Sequence, residues 1–412
     1  MAIRWMPGSR RPSHGTPPTS TVRVVDVINL AASAKEMLLN RLRRLHQPPS
    51  VENGIVCGAG PHVSLLRAAG LPVTVIDTPR GLDPPSLARA TLRLTRFFRR
   101  SQPHIVHTHC SVPGLAGRVA ARLAGVPIVV HTVHGFHFHA GSSPTARACF
   151  SAAERALATL TDILLTENRE DLHVIRRWQR PRVRARWVGN GIDVDRFAHI
   201  ARQHSTPGRS VACIGRFEPV KNHQDLLRIF ARVHAACPDA RLRLIGDGVL
   251  RPECERLAAE LGIAGVTDFL GYREDVEALL REIDVAVLVS WKEGMSRALL
   301  EPMAAGIPPV AWRVKGNREL IRAGESGLLA RAGDLEQTAT HIIRLLQDPE
   351  LRQRLGTAAA ARVREHFDEA AVAERLRAVY ATLLAEGGHA LPPSWNVPPG
   401  EETDDRRAVL SA

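Results

Sequence analysis

A regular alternation of short apolar runs with segments of helical period constrains the fold of this 412-residue chain more than any other feature. The alternation is clearest in the second half, where single predicted helices separate successive predicted strands. That pattern predicts a parallel sheet with right-handed crossovers. The predicted strands are 210–216, 241–246, 266–270, 284–290 and 308–313, and the predicted helices lie near 223–236, 251–262, 274–282 and 296–305.

The first half repeats this scheme more loosely. Its predicted strands are 22–28, 72–76, 104–108, 127–132 and 162–166, with helices near 34–45, 62–69, 84–100 and 113–124 and further helices in 335–385. We therefore predict an α/β protein in which two Rossmann-like, doubly wound domains face each other across a cleft. The predicted divisions are a disordered lead at 1–20, an N-terminal domain at 21–200, a linker at 201–210, a C-terminal domain at 211–385 and a disordered tail at 386–412.

Two helix ends carry local signals. Asn222 and Asp225 are placed to cap the helix near 223–236, because their side chains accept hydrogen bonds from free backbone amides. Gly262 is expected to end the next helix in a left-handed conformation, which glycine adopts without strain.

The formal charge of +13 suggests a nucleic-acid partner, but the rest of the sequence opposes that hypothesis. Aromatic residues make up only 4% of the chain, and neither a basic stripe with interleaved aromatic residues nor a helix-turn-helix or zinc-finger spacing occurs. An anionic substrate or a membrane surface suits the charge better. No run reaches the length of about 18 apolar residues that a membrane-spanning helix needs. Six scattered cysteines indicate free thiols, so we expect a cytoplasmic protein, with peripheral contact to the inner face of the membrane.

Glycines and charged residues follow every predicted strand of the second half. Because the carboxyl ends of parallel strands share one edge of a sheet, these residues are expected to lie together and to bind a ligand. The segments are Gly215–Lys221, Gly246–Gly248, Gly271–Arg273, Trp291–Ser296 and Lys315–Gly316.

The residue types at this edge predict a nucleotide diphosphate joined to a sugar. Arg216 and Lys221 suit a diphosphate, and the helix that begins near Ser296 adds the positive end of its dipole. Glu301, inside that helix, accepts hydrogen bonds only, which suits the paired hydroxyls of a ribose. Glu293 lies on the preceding loop, free to reach the second sugar.

The motifs at these positions resemble those of retaining GT-B glycosyltransferases of family 4, also called group 1. In the second half they are GRFEPVKN, LIGDGVL, FLGYREDV and EGMSRALLEPMAAGIPPVAWRVKGNREL. In the first half they are HTHCSVPGLAGRVAARLAGVPIVVHTVHGFHFH, LLTENREDL and VGNGIDVDRF. The resemblance covers about 22–385 and is strongest to the subgroup that builds bacterial capsule and exopolysaccharide units.

The resemblance implies a role for each matching residue. Arg216, Lys221 and Glu301 would hold the nucleotide, and Glu293 would hold the donor sugar. His134 would lie under the reacting sugar and act with Glu293 in catalysis. The residues that would meet the base are Gly271, Tyr272 and Arg273, and those that would contact the donor phosphate or sugar are Gly294, Met295 and Ser296.

The resemblance also implies the reaction. Uridine diphosphate is the usual carrier, and UDP-GlcNAc is the first choice among hexose and N-acetylhexosamine donors. The N-terminal domain would bind a hydroxylated acceptor, either a glycan, a lipid-linked glycan or an aminosugar natural product. Transfer is expected to retain the anomeric configuration through front-face attack, with Arg216 and Lys221 stabilising the leaving diphosphate. No metal and no cofactor is expected.

One stretch departs from the family pattern. After the first strand the family has a Gly-Gly loop that opens a helix near the donor diphosphate. The matching stretch here, INLAASAKE at 28–36, contains no glycine. If the loop needed a positive φ, alanine would be strained there, so its contact with donor or acceptor is in question.

Other hypotheses remain beside the transferase. A zinc cluster of His131, His134, His137 and His139 lacks a matching Cys or acid set. Cys110 beside His109 is better explained as a small buried thiol than as a nucleophile. A dinucleotide oxidoreductase is opposed by the absence of G-x-G-x-x-G after either first strand.

Two further alternatives concern what the site does. A non-catalytic homologue is opposed by the intact Glu293, Glu301, Arg216 and Lys221. A natural-product enzyme that glycosylates an aminosugar (aminoglycoside) antibiotic intermediate suits the Arg-rich composition. The charge of +13 opposes it, because a cationic acceptor would be repelled at long range.

Overall fold

The computed structural model of the protein describes residues 21–79, 81, 83–136, 144–178, 183–200 and 209–395. The predicted lead at 1–20, most of the predicted linker (201–208) and the tail beyond 395 lie outside the described residues.

The first half of the chain forms a seven-stranded sheet with the order β3-β2-β1-β4-β5-β6-β7. The strands β1, β2, β3 and β4 pair in parallel, as do β6 and β7. The strands are β1 Val22–Val27, β2 Val51–Cys57, β3 Val73–Val75, β4 Ile105–His109, β5 Ile128–Val133, β6 Ile163–Thr166 and β7 Ala185–Trp187. The helices are α1 Ala31–Met37, α2 Leu39–Leu45, α3 Val63–Ala68, α4 Pro84–Ser101, α5 Ser111–Ala124, α6 Pro144–Ala158, α7 Arg169–Arg176 and α8 Asp195–Ala198.

The second half forms a six-stranded sheet with the order β10-β9-β8-β11-β12-β13, and every pairing in it is parallel. The strands are β8 Ser210–Ile214, β9 Arg241–Ile245, β10 Thr267–Gly271, β11 Val285–Leu288, β12 Pro309–Trp312 and β13 Leu328–Ala330. The helices are α9 His223–Ala236, α10 Arg251–Glu260, α11 Val276–Leu280, α12 Arg297–Ala304, α13 Lys315–Leu320, α14 Leu335–Gln347, α15 Pro349–His366 and α16 Glu369–Glu386.

By its internal contacts the chain divides into two compact units, and each has an apolar core of its own. Among the described residues, unit 1 comprises those within 21–108, 112–130 and 373–395, and unit 2 comprises those within 109–111 and 131–372. Leu94 and Phe98 of α4 pack on Val106 in the core of unit 1. Phe217, Phe230 and Trp312 are among the large side chains buried in unit 2.

The two parallel α/β sheets confirm the predicted fold class. The predictions for single helices and helix ends were right at some positions and wrong at others. The predicted helix near 34–45 is two helices, which meet at Leu38. Gly262 has φ +70° after α10, as predicted. The prediction for Asn222 was wrong: its side chain donates to Asp225 at 2.9 Å and makes no cap bond to the backbone of α9. The backbone of Asn222 has φ +58°, so the chain enters α9 through a left-handed residue and not through a side-chain cap.

The glycine-free loop at 28–36 is not strained in the way the sequence suggested. The residues other than glycine that have positive φ in the described part of the chain are Gln102, Cys110 and Asn222, so the alanines of this loop avoid the left-handed region. A glycine outside this loop makes the close backbone contact: the amide of Gly58, which follows β2, donates to the carbonyl of Asn29 at 2.9 Å. A side chain at Gly58 would place its Cβ 2.7 Å from that carbonyl oxygen.

None of the helices in the described part of the chain combines the length and the apolar character that a bilayer-crossing segment needs.

Candidate active site

The candidate site is built at one edge of the six-stranded sheet. Because all six strands run parallel, the loops that follow them emerge on the same edge, as the sequence predicted. The loop after β8 carries Arg216 and Lys221, and the loop after β11 carries Glu293. A backbone hydrogen bond of 2.9 Å from Trp291 to Val220 joins these two loops.

Lys221 and Glu293 form an ion pair in this structure. The Nζ of Lys221 lies 2.7 Å from Oε1 of Glu293, and the two side chains are only 20% and 9% exposed. The prediction that Glu293 would be free on its loop was therefore wrong. The sequence assigned these residues to the diphosphate and to the sugar separately, but the fold makes them partners.

Arg216 lies in a more open place than Lys221. Its side chain is 75% exposed and pairs with Glu218 at 2.8 Å. A flexible, solvated guanidinium can move to a bound anion at small cost, since an exposed ion pair contributes little stability.

Helix α12 places Glu301 beside Arg297. The guanidinium of Arg297 donates to Oε1 of Glu301 at 3.2 Å, and Glu301 is 14% exposed. Ser296 precedes the first turn and is buried, and its hydroxyl has no hydrogen-bond partner among the described residues. A buried hydroxyl at a helix N-terminus is a suitable donor to an anionic ligand. Met295 beside it is buried.

The loop after β10 presents the segment predicted to meet the base. Gly271 ends the strand, and its carbonyl accepts from the amide of Gly246 at 2.8 Å. Tyr272 is 63% exposed. Arg273 donates two hydrogen bonds, of 2.7 and 2.5 Å, to Asp275, and this lowers the pKa of the carboxyl.

His134 is held by two side chains that the sequence analysis did not assign. Its Nδ1 lies 2.6 Å from Oε1 of Glu167, and its Nε2 lies 3.1 Å from Nδ1 of His109. His109 ends β4, His134 follows β5 and Glu167 follows β6, and these strands are neighbours in the sheet. The sequence therefore contained a signal for this group of side chains, because His109, His134 and Glu167 each lie just after a predicted strand.

Glycines let the loops of His134 and Glu293 touch. A Cβ on Gly294 would lie 2.4 Å from the carbonyl oxygen of His134, and a Cβ on Gly135 would lie 3.1 Å from the Cα of Gly294. Gly316 packs against the same place, since its Cβ would lie 2.3 Å from the carbonyl oxygen of Gly294. The predicted sugar-binding residues therefore stand on loops in direct backbone contact.

A pocket of about 220 Å³ opens beside His134. Burial, and then the neighbouring Lys315, lowers the pKa of Lys292. Burial raises the pKa of Cys110 to about 12, so the thiol stays protonated at neutral pH and suits the small-thiol interpretation. The lining residues are Cys110, Ser111, His131, Thr132, Val133, His134, Gly135, Phe136, Phe150, Glu154 and Lys292.

His137 and His139 of the weighed zinc cluster lie outside the described residues. Two acidic residues that follow strands of the second sheet have structural partners. Asp247 accepts from the amide of Gly248 at 2.8 Å, as in a tight turn. Glu319 accepts from the amide of Arg169 at 2.6 Å, and burial raises its pKa to about 7.

Two family models together span most of the chain. The family described as glycosyl transferases group 1 matches residues 195–362, and the glycosyl transferase 4-like domain matches residues 36–191.

Individual relatives agree with these models. A Bacillus subtilis (strain 168) protein named "Putative glycosyltransferase EpsD" is 31% identical over 316 residues, which are 73% of this chain and 82% of the relative. The Escherichia coli UDP-Gal:alpha-D-GlcNAc-diphosphoundecaprenol alpha-1,3-galactosyltransferase is 28% identical over 276 residues, 64% of this chain and 71% of the relative. The crystal structure of Anabaena HepE in complex with UDP and glucose superposes with a TM-score of 0.75 at 19% identity, covering 88% of this chain and 100% of HepE. That likeness shows the GT-B fold.

Proposed function

Because the chain belongs to the group 1 glycosyltransferases, we propose that it moves a hexose or N-acetylhexosamine from a UDP-sugar to a hydroxyl group, with retention of configuration. One observation carries the proposal most directly. The Lys221–Glu293 ion pair joins the loops after β8 and β11, and the loop of Glu293 touches the loop of His134 through Gly135 and Gly294. In the proposed function, the cation, the carboxylate and the imidazole on these neighbouring loops bind one sugar diphosphate together.

We assign the donor contacts from the chemistry of each side chain. Lys221 and Arg216 would neutralise the diphosphate, and the hydroxyl of Ser296 would donate to a phosphate or sugar oxygen. Glu301 would accept from the ribose hydroxyls after exchanging its bond with Arg297. Glu293 would turn from Lys221 toward the transferred sugar when the diphosphate takes over that ammonium.

The proposed step breaks the bond between the anomeric carbon and the diphosphate oxygen and forms a bond from the acceptor oxygen on the same face. Lys221 and Arg216 would stabilise the charge that develops on UDP, and its phosphate oxygen would take the acceptor's proton. His134 would face the sugar in the oxocarbenium-like transition state. Glu167 accepts at Nδ1 and so fixes the orientation of the ring. Lys221 and Arg216 would supply the positive charge that a divalent ion supplies in metal-dependent enzymes. We therefore propose a reaction that needs no metal or cofactor.

For the substrates we propose UDP-GlcNAc as donor and a lipid-linked glycan of the capsule or exopolysaccharide kind as acceptor, used at the inner face of the membrane. The E. coli relative supports a lipid-linked acceptor, since its name specifies a diphosphoundecaprenol substrate. An aminoglycoside intermediate is the competing acceptor, and the positive charge of the chain opposes it.

A donor and acceptor screen tests the proposal. UDP release would be measured with UDP-GlcNAc, UDP-Glc and UDP-Gal, each with a sugar-diphospholipid analogue or with an aminosugar acceptor. We expect release with UDP-GlcNAc and the diphospholipid, and an axial (α) product anomer by NMR from the α-linked donor. Release only with the aminosugar would favour the antibiotic alternative, and an inverted product would refute retention. Glu293→Gln is the matched inactive control.

A further inference from the structure

The positive charge of this chain is concentrated in its N-terminal part. Residues 21–130 contain 14 Lys and Arg against 5 Asp and Glu, a net charge of +9. Residues 131–412 contain 38 against 37, a net charge of +1. The described part of the first segment, apart from its short His109–Ser111 stretch, belongs to unit 1, so the charge is a property of one compact unit rather than of the whole molecule.

Helix α4 concentrates this charge on one face. It carries five arginines and no acidic residue between Pro84 and Ser101. Arg89, Arg93, Arg96 and Arg100 follow one another at spacings of four, three and four, which aligns them along the helix. All four are exposed, whereas the opposite face is buried through Ala90, Leu94 and Phe98.

Among the residues that the structure describes, these arginines lack the carboxylate partners that several arginines of unit 2 have. In the described part of the chain, none of the five arginines of α4 lies within 4.0 Å of a carboxylate oxygen. In unit 2, by contrast, exposed arginines commonly pair. Examples are Arg228 with Asp225 at 3.0 Å, Arg216 with Glu218 at 2.8 Å and Arg318 with Glu170 at 2.9 Å. The face of α4 is thus strongly positive, although the carboxylate of its N-cap residue Asp83 interacts electrostatically with Arg89.

Two exposed leucines accompany the arginines. Leu92 is 54% exposed on α4, and Leu123 is 56% exposed near the end of α5. The guanidinium of Arg99 donates to the carbonyl of Leu123 at 3.0 Å, so the ends of the two helices adjoin. We call these residues the arginine face: Arg89, Leu92, Arg93, Arg96, Arg99, Arg100 and Leu123.

We propose that the arginine face docks on an anionic lipid bilayer. Clustered arginines are attracted to the negative surface of such a bilayer, and apolar side chains among them enter the boundary between headgroups and acyl chains. A single-stranded nucleic acid fits less well, because proteins bind it through exposed aromatic rings that stack on its bases. Phe98 is buried and Phe97 is half-buried, so α4 offers leucines instead.

This inference deepens the proposed function, since it adds a surface by which an enzyme with a lipid-linked acceptor reaches its substrate. The binding itself requires no turnover, so it can be tested without knowing the sugar or the acceptor.

The test is cosedimentation of the full chain with vesicles of phosphatidylcholine alone or with about 30% phosphatidylglycerol, an anionic lipid. We expect binding only to the anionic vesicles, weakened by salt. Arg93→Glu/Arg96→Glu should lower the partition coefficient by about tenfold or more, because it reverses two charges at the centre of the face. The matched control is Arg232→Glu/Arg256→Glu, which changes the same charge on exposed positions of unit 2 and should bind as the wild type does.

The leucines give a second variant. Leu92→Ser/Leu123→Ser should weaken binding even at low salt, because the apolar contact does not depend on charge. Equal binding of all variants, or tighter binding to single-stranded DNA than to anionic vesicles, would overturn the proposal. UDP release with a water-soluble acceptor should be unaffected by either pair of substitutions. If turnover is absent while vesicle binding follows the prediction, the proposed reaction fails and the docking surface stands.

Discussion

The ammonium of Lys221 donates a 2.7 Å hydrogen bond to the carboxylate of Glu293, although the two residues are 72 positions apart. The pair is largely shielded from solvent, so removing either partner leaves the other charge poorly solvated. A donor diphosphate would therefore compete with Glu293 for Lys221, and binding of the donor would set the position of the catalytic carboxylate.

Lys221→Ala is expected to weaken UDP binding by about 10- to 100-fold, the range for a lost hydrogen bond to a charged group. Isothermal calorimetry measures the affinity. Arg232→Ala, which removes an exposed cation from α9, is the control and should not change it. Arg216→Ala should act in the same direction as Lys221→Ala. An unchanged affinity for UDP in Lys221→Ala would contradict the diphosphate assignment.

The two glutamates should separate in kinetics. Glu301→Gln is expected to raise the donor KM and weaken UDP, because a ribose contact is equal in ground and transition states. Glu293→Gln should instead lower kcat by about 100-fold, the scale of a lost transition-state contact, and should leave UDP affinity equal or higher, because the neutral amide competes less with the diphosphate for Lys221. His134→Ala should resemble Glu293→Gln. Similar losses of UDP affinity in both glutamate variants would show that the division of roles is wrong.

Glu167→Gln is expected to lower kcat by about 10- to 100-fold, as supporting residues of catalytic side chains do. The amide can no longer accept from the Nδ1–H of His134 as a charged partner, so the pH profile of kcat should also shift. Affinity for UDP should stay unchanged. Glu170→Gln, which breaks an exposed pair with Arg318, is the control. A stability loss without any change in the pH profile would leave Glu167 only a structural role.

Activity is expected to survive EDTA, because Lys221 and Arg216 supply the positive charge. Turnover would be followed before and after chelation, with elemental analysis of the purified protein for zinc. Activity that is lost on chelation and restored by zinc, with a stoichiometric zinc content, would support the zinc site at the histidine cluster instead.

Asp26 should make stability depend on pH. It lies buried in β1, 3.5 Å from Nδ1 of His107, and burial raises its pKa from 3.8 to about 8, with Arg41 opposing the shift. The native state therefore holds a proton that the unfolded chain releases, so the stabilisation is complete below pH 3.8 and is lost as the pH rises to about 8. Asp26→Asn should remove this slope and exceed the wild type by about 1 kcal/mol or more above pH 8. Thermal unfolding of the wild type and of Asp26→Asn from pH 5 to 9 measures the slope and the difference in stability. If the two proteins show the same slope, Asp26 is ionised in the folded as well as in the unfolded chain over this range.

The sequence predicted elements well where period and turn signals agree. Helix α9 has the predicted bounds, 223–236, because an apolar stripe and clear flanking residues define it. Strand β2, Val51–Cys57, was missed, since Glu52, Asn53 and Gly54 interrupt its apolar run. Pairing with β1 on one side and β3 on the other holds this segment in the sheet, and a single sequence does not show that pairing.

The site residues could be placed at a sheet edge but not paired. Parallel topology predicted that the loops after β8 and β11 would share that edge. Which side chain turns toward which neighbour depends on loop conformation, so the pairing of Lys221 with Glu293 was not predicted. The Glu167–His134 bond was missed for the same reason, because it joins loops after different strands.

The contact between Gly135, Gly294 and Gly316 limits how this enzyme could be engineered. At Gly294 and Gly316 even an alanine methyl would lie within 2.4 Å of a carbonyl oxygen and force the loops apart, and at Gly135, with φ +103°, any side chain would be strained. A library that diversifies these three positions would therefore consist mostly of variants with a displaced site. Changes of sugar preference should therefore be sought at neighbours that already carry side chains, such as Lys292 and Met295. The part of the site where the backbones lie closest together is the part that tolerates substitution least.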